Sequence, residues 1–154
     1  MYGSCAYKNR EFDSITVCGS AIFNKVTVHQ GTTINGNLQA NTSSLTALTV
    51  NGRAELSDSS IQGKTKINGF LLADHTKFNE EISCYSQRIV LSACLTSSIT
   101  VREDGGYHET QVIELKDGTK VNGSIEFKSG NGEIWLFAGS EITGEVLGAK
   151  IIKK

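Results

Sequence analysis

The chain has 154 residues, of which 38% are hydrophobic and 20% charged, and its formal net charge is −1. This length fits one domain that can bury a core, and a balanced charge without a basic stripe argues against nucleic acid as a partner. No apolar run of about 18 residues occurs, so we expect membrane contact only by peripheral or lipid anchoring.

The glycine and proline content predicts the fold class. Sixteen glycines, no proline and many β-branched residues are present. Proline lacks the N–H that a strand paired on both edges needs, so its absence agrees with a continuous ladder. Glycine suits tight corners, because it adopts positive φ without a steric cost. The composition is therefore typical of an all-β protein.

The N-terminal segment, residues 1–14, is polar and is predicted to form a lead-in or a cap over the first repeat. Tyr7 and Phe12 are the apolar side chains available to cover that repeat. Small residues precede Cys5, as at the cleavage site of a bacterial lipoprotein. Cys5 is therefore a candidate lipidation site if an upstream signal segment is removed. The four cysteines form no C-x-x-C pair, and we expect free thiols.

A short repeat extends over residues 15–154. The octapeptide that begins at Gly31 recurs from Gly118 and Gly139, and its β-branched position falls at Val17, Ile34, Val50, Ile67, Ile82, Ile99, Val121 and Ile142. The spacings of 15 to 22 residues are too short for a helix plus a strand. We therefore predict a single right-handed parallel β-helix (β-solenoid) with rungs of about 16–17 residues and longer rungs near the C-terminus.

Equivalent positions of the repeat predict columns of stacked side chains. Two inward columns are expected, Ala21, Leu38, Ala54 and Leu71, and then Val28, Leu45, Ile61 and Phe78. Asn35, Asn51, Asn68 and Asn122 fall at one position of the motif, and the first three are predicted to stack as an amide ladder.

The recurring [Ile/Val]-x-Gly-x-aliphatic unit at Val17, Ile34, Val50 and Ile67 resembles the bactofilin family of bacterial polymer-forming cytoskeletal proteins. The resemblance implies a triangular β-helix that associates end to end without nucleotide. It also implies a place in the bacterial cytoplasm or at the membrane, whereas a lipidated Cys5 would imply the cell envelope. The absence of proline-rich tails departs from the family pattern.

Three classes of function follow from the sequence. The first is a non-enzymatic structural scaffold that is bactofilin-like and able to self-associate. The second is an envelope-anchored, lipoprotein-like binding module, and the third is a left-handed β-helix enzyme similar to acyltransferases. His29 or His75 would be the general base of such an enzyme. Asp74 is next to His75, but alternation along a strand predicts opposite faces for the pair. We predict no catalytic residue, cofactor or metal ligand.

Two places are candidates for contact with a protein partner. If Ile134 and Leu136 point inward, Trp135 and Phe137 lie on the outer face. The segment 102–110 interrupts the apolar columns and is predicted to be a loop that carries Tyr107 and His108 as contact residues. Asp104, His108 and Glu109 are the acidic and imidazole groups that a divalent metal would use there.

The ends of a solenoid are its most exposed edges, so a homo-oligomer is expected to form through them. Ile151 and Ile152 are predicted to close the last core layer, while Lys153 and Lys154 discourage an incoming strand. We therefore expect weak association, head to head at one end.

Overall fold

The computed structural model describes residues 2–102 and 110–154, and all regular structure in them is β-strand. No helix able to cross a membrane occurs in these two ranges. The strands are β1 (Tyr2–Lys8), β2 (Glu11–Phe12), β3 (Ile15–Asn24), β4 (Thr27–Asn41), β5 (Ser44–Ser57), β6 (Ser60–Ile61), β7 (Thr65–Asp74), β8 (Lys77–Phe78), β9 (Ile82–Tyr85), β10 (Arg88–Ser92), β11 (Leu95–Thr96), β12 (Ile99–Val101), β13 (Gln111–Lys116), β14 (Lys120–Val121), β15 (Ile125–Phe127), β16 (Gly132–Leu136), β17 (Glu141–Ile142), β18 (Val146–Leu147) and β19 (Ala149–Lys153).

The strand pairing is that of a solenoid. Each strand pairs in parallel with the strand one turn further along the chain. One column of paired residues has one member in each turn and so gives the length of the turns. It contains Ile15, Thr32, Leu48, Thr65, Ile82, Ile99, Ile125 and Val146. Its spacings are 17, 16, 17, 17, 17, 26 and 21 residues. The predicted parallel β-helix is therefore confirmed, with its longer rungs near the C-terminus.

The two predicted inward columns are also confirmed. The column of Ala21, Leu38, Ala54 and Leu71 is in register, and none of its members is more than 1% exposed. The column of Val28, Leu45, Ile61 and Phe78 is in register and at most 2% exposed. Each buried Val, Leu, Ile or Phe side chain in these columns contributes about 1.5–3 kcal/mol by burial, so the core stabilises every rung against its neighbours.

The predicted alignment is wrong beyond Ile67. Cys84 and Val101 follow Ile67 in its column, whereas Ile82 and Ile99 follow Thr65. Residues two positions apart in a strand point to the same face. Both sets therefore point inward, and spacing alone cannot distinguish them.

The prediction that Val121 and Ile142 continue the column of Ile67 is also wrong. They pair through Thr96 with the column that contains Phe78, which is a different column from that of Ile67. The motif Val-Asn-Gly occurs at two different corners of the solenoid. Gly52, at the first corner, has a φ of +147°, whereas Gly123, at the second, does not have a positive φ.

The sequence patterns do not predict a second corner of the solenoid. Its residues adopt the left-handed backbone conformation although none is glycine, with φ between 47° and 54°: Asn9, Lys25, Thr42, Asp58, His75, Ala93 and Asp117. Their backbone N–H groups continue the ladder, as where Lys25 N donates to Asn41 O at 3.0 Å. Buried hydroxyls follow, and Ser43 Oγ donates to Asn41 O at 3.0 Å. This side-chain bond bridges the turn and helps to hold the strained residue in place.

The predicted lead-in extends the ladder. Residues 2–8 of β1 pair with residues 18–24 of β3, and Phe12 of β2 pairs with Val28. The Tyr7 ring lies edge-on to Phe12, with 5.0 Å between the centroids. The segment therefore covers the next rung as a rung of its own.

Candidate functional site

An amide ladder extends along one outer edge of the solenoid. Asn51 Nδ2 donates to Asn35 Oδ1 at 2.7 Å, and Asn68 Nδ2 donates to Asn51 Oδ1 at 2.6 Å. These contacts confirm the predicted ladder, except that Asn122 lies on another face. The ladder ends at Arg102, whose Nη2 donates to Asn68 Oδ1 at 2.7 Å.

A glycine column lies immediately beside this ladder. Gly36, Gly52 and Gly69 have φ values of +147° to +149°. A Cβ on Gly69 would lie 2.1 Å from the carbonyl oxygen of Gly52, so no side chain fits there. The backbones of successive rungs therefore stack at this corner with no space for a side chain between them.

The corner widens at the next rung. Tyr85 is in register with Asn68, and Ile89 with Leu71. Three residues, 86–88, therefore stand where the rung before has two. An extra residue of this kind is a β-bulge, which bends a strand and redirects its side chains.

A pocket of about 410 Å³ opens at this bulge. Phe70 and Tyr85 supply aromatic walls, and Arg88 and Arg102 supply guanidinium groups. The other described residues of its lining are Gly69, Ser86, Gln87 and Gln111. Pockets of this size with a few convergent polar groups are typical of small-ligand sites.

The two arginines differ in how their charge is balanced. Arg88 Nε donates at 2.7 Å to Glu114, a carboxylate that is only 5% exposed. Arg102 has no carboxylate within 4 Å among residues 2–102 and 110–154, and its Nε is buried there without a hydrogen-bond partner. The Arg102 guanidinium lies 5.7 Å from the centre of the Tyr85 ring. The described lining of the pocket thus carries one uncompensated positive charge.

Gln111 holds the rungs together beneath the pocket. Its Nε2 donates to Ser86 O and to Arg102 O, both at 3.0 Å. Its Oε1 accepts from Ser129 Oγ at 3.2 Å. Because the side chain is 8% exposed and bonded at both ends, it fixes the positions of the two backbone segments that it joins.

The predicted contact aromatics lie on the next rung and are half-buried. The Arg88 guanidinium is 5.2 Å from the centre of the Trp135 ring, and Lys154 Nζ is 4.5 Å from it. Lys116 Nζ lies 5.5 Å from the Phe137 ring. Cationic side chains therefore cover part of both rings.

His29 and His75 lie apart from the described lining of the pocket. The expectation that Asp74 and His75 point to opposite faces is wrong, since His75 Nδ1 lies 2.9 Å from Asp74 Oδ1. The reason is that His75 has a φ of +47°, where strand alternation no longer holds. His29 Nε2 is 3.4 Å from the Glu11 carboxylate on the exposed surface.

The remaining loop residues, Asp104, Tyr107, His108 and Glu109, lie outside the described part of the chain. Within the described part, no three His, Cys, Asp or Glu side chains converge as a metal site. The prediction of partner contact through Tyr107 and His108 stays a prediction.

All four cysteines are free thiols, as expected. Burial raises the pKa of Cys84 to about 12 and that of Cys94 to about 11, so both are protonated and unreactive at neutral pH. Cys5 lies within β1 opposite Ala21 and packs against the core. A lipid chain on this sulfur would start from a half-buried position.

Comparison of the chain with protein-family models, curated proteins and solved structures gives no match.

Proposed function

We propose that the protein is a non-enzymatic, bactofilin-like structural scaffold that pairs with a second copy of itself through its C-terminal rung. The observation that carries this proposal is that core columns reach that rung uncovered. Ile134 is fully buried, whereas Ile151, the next member of its column, is 46% exposed. Val146 on the same rung is half-buried, whereas Ile125, the preceding member of its column, is fully buried. Covering these side chains would continue the core across the contact.

The opposite end of the solenoid is better protected. Tyr7 and Phe12 are half-buried in the first rung, and the Arg10 guanidinium lies 5.7 Å and 5.6 Å from the centres of their rings. This asymmetry favours contact between two C-terminal ends. Such a contact uses the same surface on both copies and closes as a dimer.

Charges on the C-terminal rung support the same arrangement. Glu141 and Glu145 are exposed on one part of the rung, and Lys150 is exposed on another. A two-fold axis can set the acidic part of one copy against the basic part of the other. Complementary charge of this kind fixes the orientation of a contact.

Light scattering over a concentration series tests the proposal. We expect the unmodified chain to form a dimer and Ile151→Asp to remain monomeric, because a charge would then be buried in the contact. Ile22→Asp is the matched control, since Ile22 is 40% exposed on the side of the solenoid.

A monomer at every concentration would overturn the proposal, as would a dimer that Ile151→Asp leaves intact. Long filaments of the unmodified chain would instead require both ends to associate, and would contradict the pairing of C-terminal ends alone.

A further inference from the structure

We propose that the pocket between Phe70, Tyr85, Arg88 and Arg102 binds a small aromatic carboxylate. The pocket is separate from the C-terminal rung, and binding there does not require self-association. Arg102 carries the one charge on the described lining for which no described residue supplies a carboxylate partner.

The charge balance selects a monoanion. Glu114 already neutralises Arg88, and Asn68 occupies only Nη2 of Arg102. The buried Arg102 Nε–H is a donor without an acceptor among the described residues. An unsatisfied donor leaves the charge of the guanidinium poorly balanced, and a carboxylate against the part of Arg102 that lines the pocket is the group that best balances it.

The walls select a planar ring. Phe70 and Tyr85 are both half-buried and line the same pocket. Arg53 lies 4.6 Å from the centre of the Phe70 ring, so this side chain is held by its neighbours. Rings preorganised in this way favour a second aromatic group by offset or edge contact.

The backbone supports a preformed site. Gln111 bonds to the carbonyl groups of both Ser86 and Arg102, and the ladder holds the Arg102 guanidinium against Asn68. A ligand would therefore meet groups that are already in position, which lowers the entropy cost of binding.

NMR titration of the full ¹⁵N-labelled chain with benzoate, benzamide and acetate tests this inference. We expect benzoate to bind at least about tenfold more tightly than either of the others, because only benzoate combines the charge with the ring. The Arg102 Nε–H signal should shift with benzoate. Arg102→Gln should weaken benzoate binding by about tenfold or more, and Arg10→Gln, a matched change in the first rung, should not.

Equal affinities for benzoate and benzamide would show that the ligand's negative charge is not recognised. Equal affinities for benzoate and acetate would show that its aromatic ring is not recognised. No detectable benzoate binding by the unmodified chain would contradict the site as a whole. This comparison of ligands needs no variant, so it stands even if Arg102→Gln fails to fold.

Discussion

The rungs before Asp74 and those after Ile82 pack the same kind of core in different ways. In the first region β3, β4, β5 and β7 contain 10 to 15 residues each and continue through the glycine corner. In the second region each rung is divided into three strands of 2 to 6 residues. At the bulged corner its rungs are joined by an individual polar side chain, Gln111.

The difference shows how a solenoid loses its repeat. A regular rung is a template for the next, so identical residues stack as glycine columns and amide ladders. The bulge at residues 86–88 and the 26-residue rung between Ile99 and Ile125 break that template. Beyond them the glycine corner no longer repeats, and Gln111 joins the rungs there. The first region should therefore be sensitive to backbone geometry, and the second to single hydrogen bonds.

The largest effect is expected from Gly52→Ala in the regular region. Its Cβ would lie 2.1 Å from the carbonyl oxygen of Gly36, at a φ of +147°. We expect a loss of at least about 4 kcal/mol in the free energy of unfolding, measured in urea. Gly130→Ala in the second region is the control. It has open space at a φ of +70° and should cost only about 1–2 kcal/mol. Equal losses would contradict the close stacking of the glycine corner.

The next effect compares two members of one core column. Ile61 is fully buried, and Ile61→Ala should cost about 2–5 kcal/mol by the loss of packing. Ile142 lies in the same column at the C-terminal rung but is only half-buried, so Ile142→Ala should cost less. Denaturant unfolding measures both. A cost below about half a kcal/mol for Ile61→Ala would place the column on the surface.

A smaller effect distinguishes two buried threonines. Thr119 Oγ1 accepts from Cys94 N at 3.1 Å and donates to Lys116 O at 2.8 Å. Thr119→Val should therefore cost about 1–3 kcal/mol. Thr65 Oγ1 is buried without a partner among the described residues, so Thr65→Val should be neutral or stabilising. If the melting temperatures of both variants shift in the same direction, the hydrogen bonds of the hydroxyl do not decide the effect of its removal.

The smallest effect concerns the two ends. Lys153→Thr removes a charge that faces an incoming C-terminal rung and should strengthen dimerisation by less than about tenfold, or about 1.4 kcal/mol. Lys8→Thr at the N-terminal end is the control and should leave the dimer unchanged. Sedimentation equilibrium measures the association constant. Weaker dimerisation of Lys153→Thr would mean that this lysine attracts the partner.

The sequence predicted the regular region well because its residues recur at a constant spacing. The columns of Leu38 and Leu45 and the ladder of Asn35 follow directly from that period. The second region was misaligned, because Val-Asn-Gly at Val121 copies the sequence of the glycine corner while occupying another one. The left-handed corner gave no signal, since residues as different as Lys25 and Ala93 adopt it.

The pocket could not be predicted from local patterns. Arg102 reaches Asn68 across 34 positions of the chain, and only the final register brings the two together. One signal was available. Ser86 takes the place of the column's glycine in the rung after Gly69, and this interruption marks the rung where the bulge and the pocket lie.

Small-angle X-ray scattering over a concentration series tests most directly whether the exposed C-terminal rung pairs with a second copy. We expect a dimer whose maximum dimension is about twice that of the monomer, because the copies join end to end. A monomer at all concentrations would contradict it, as would a side-by-side dimer with an unchanged maximum dimension.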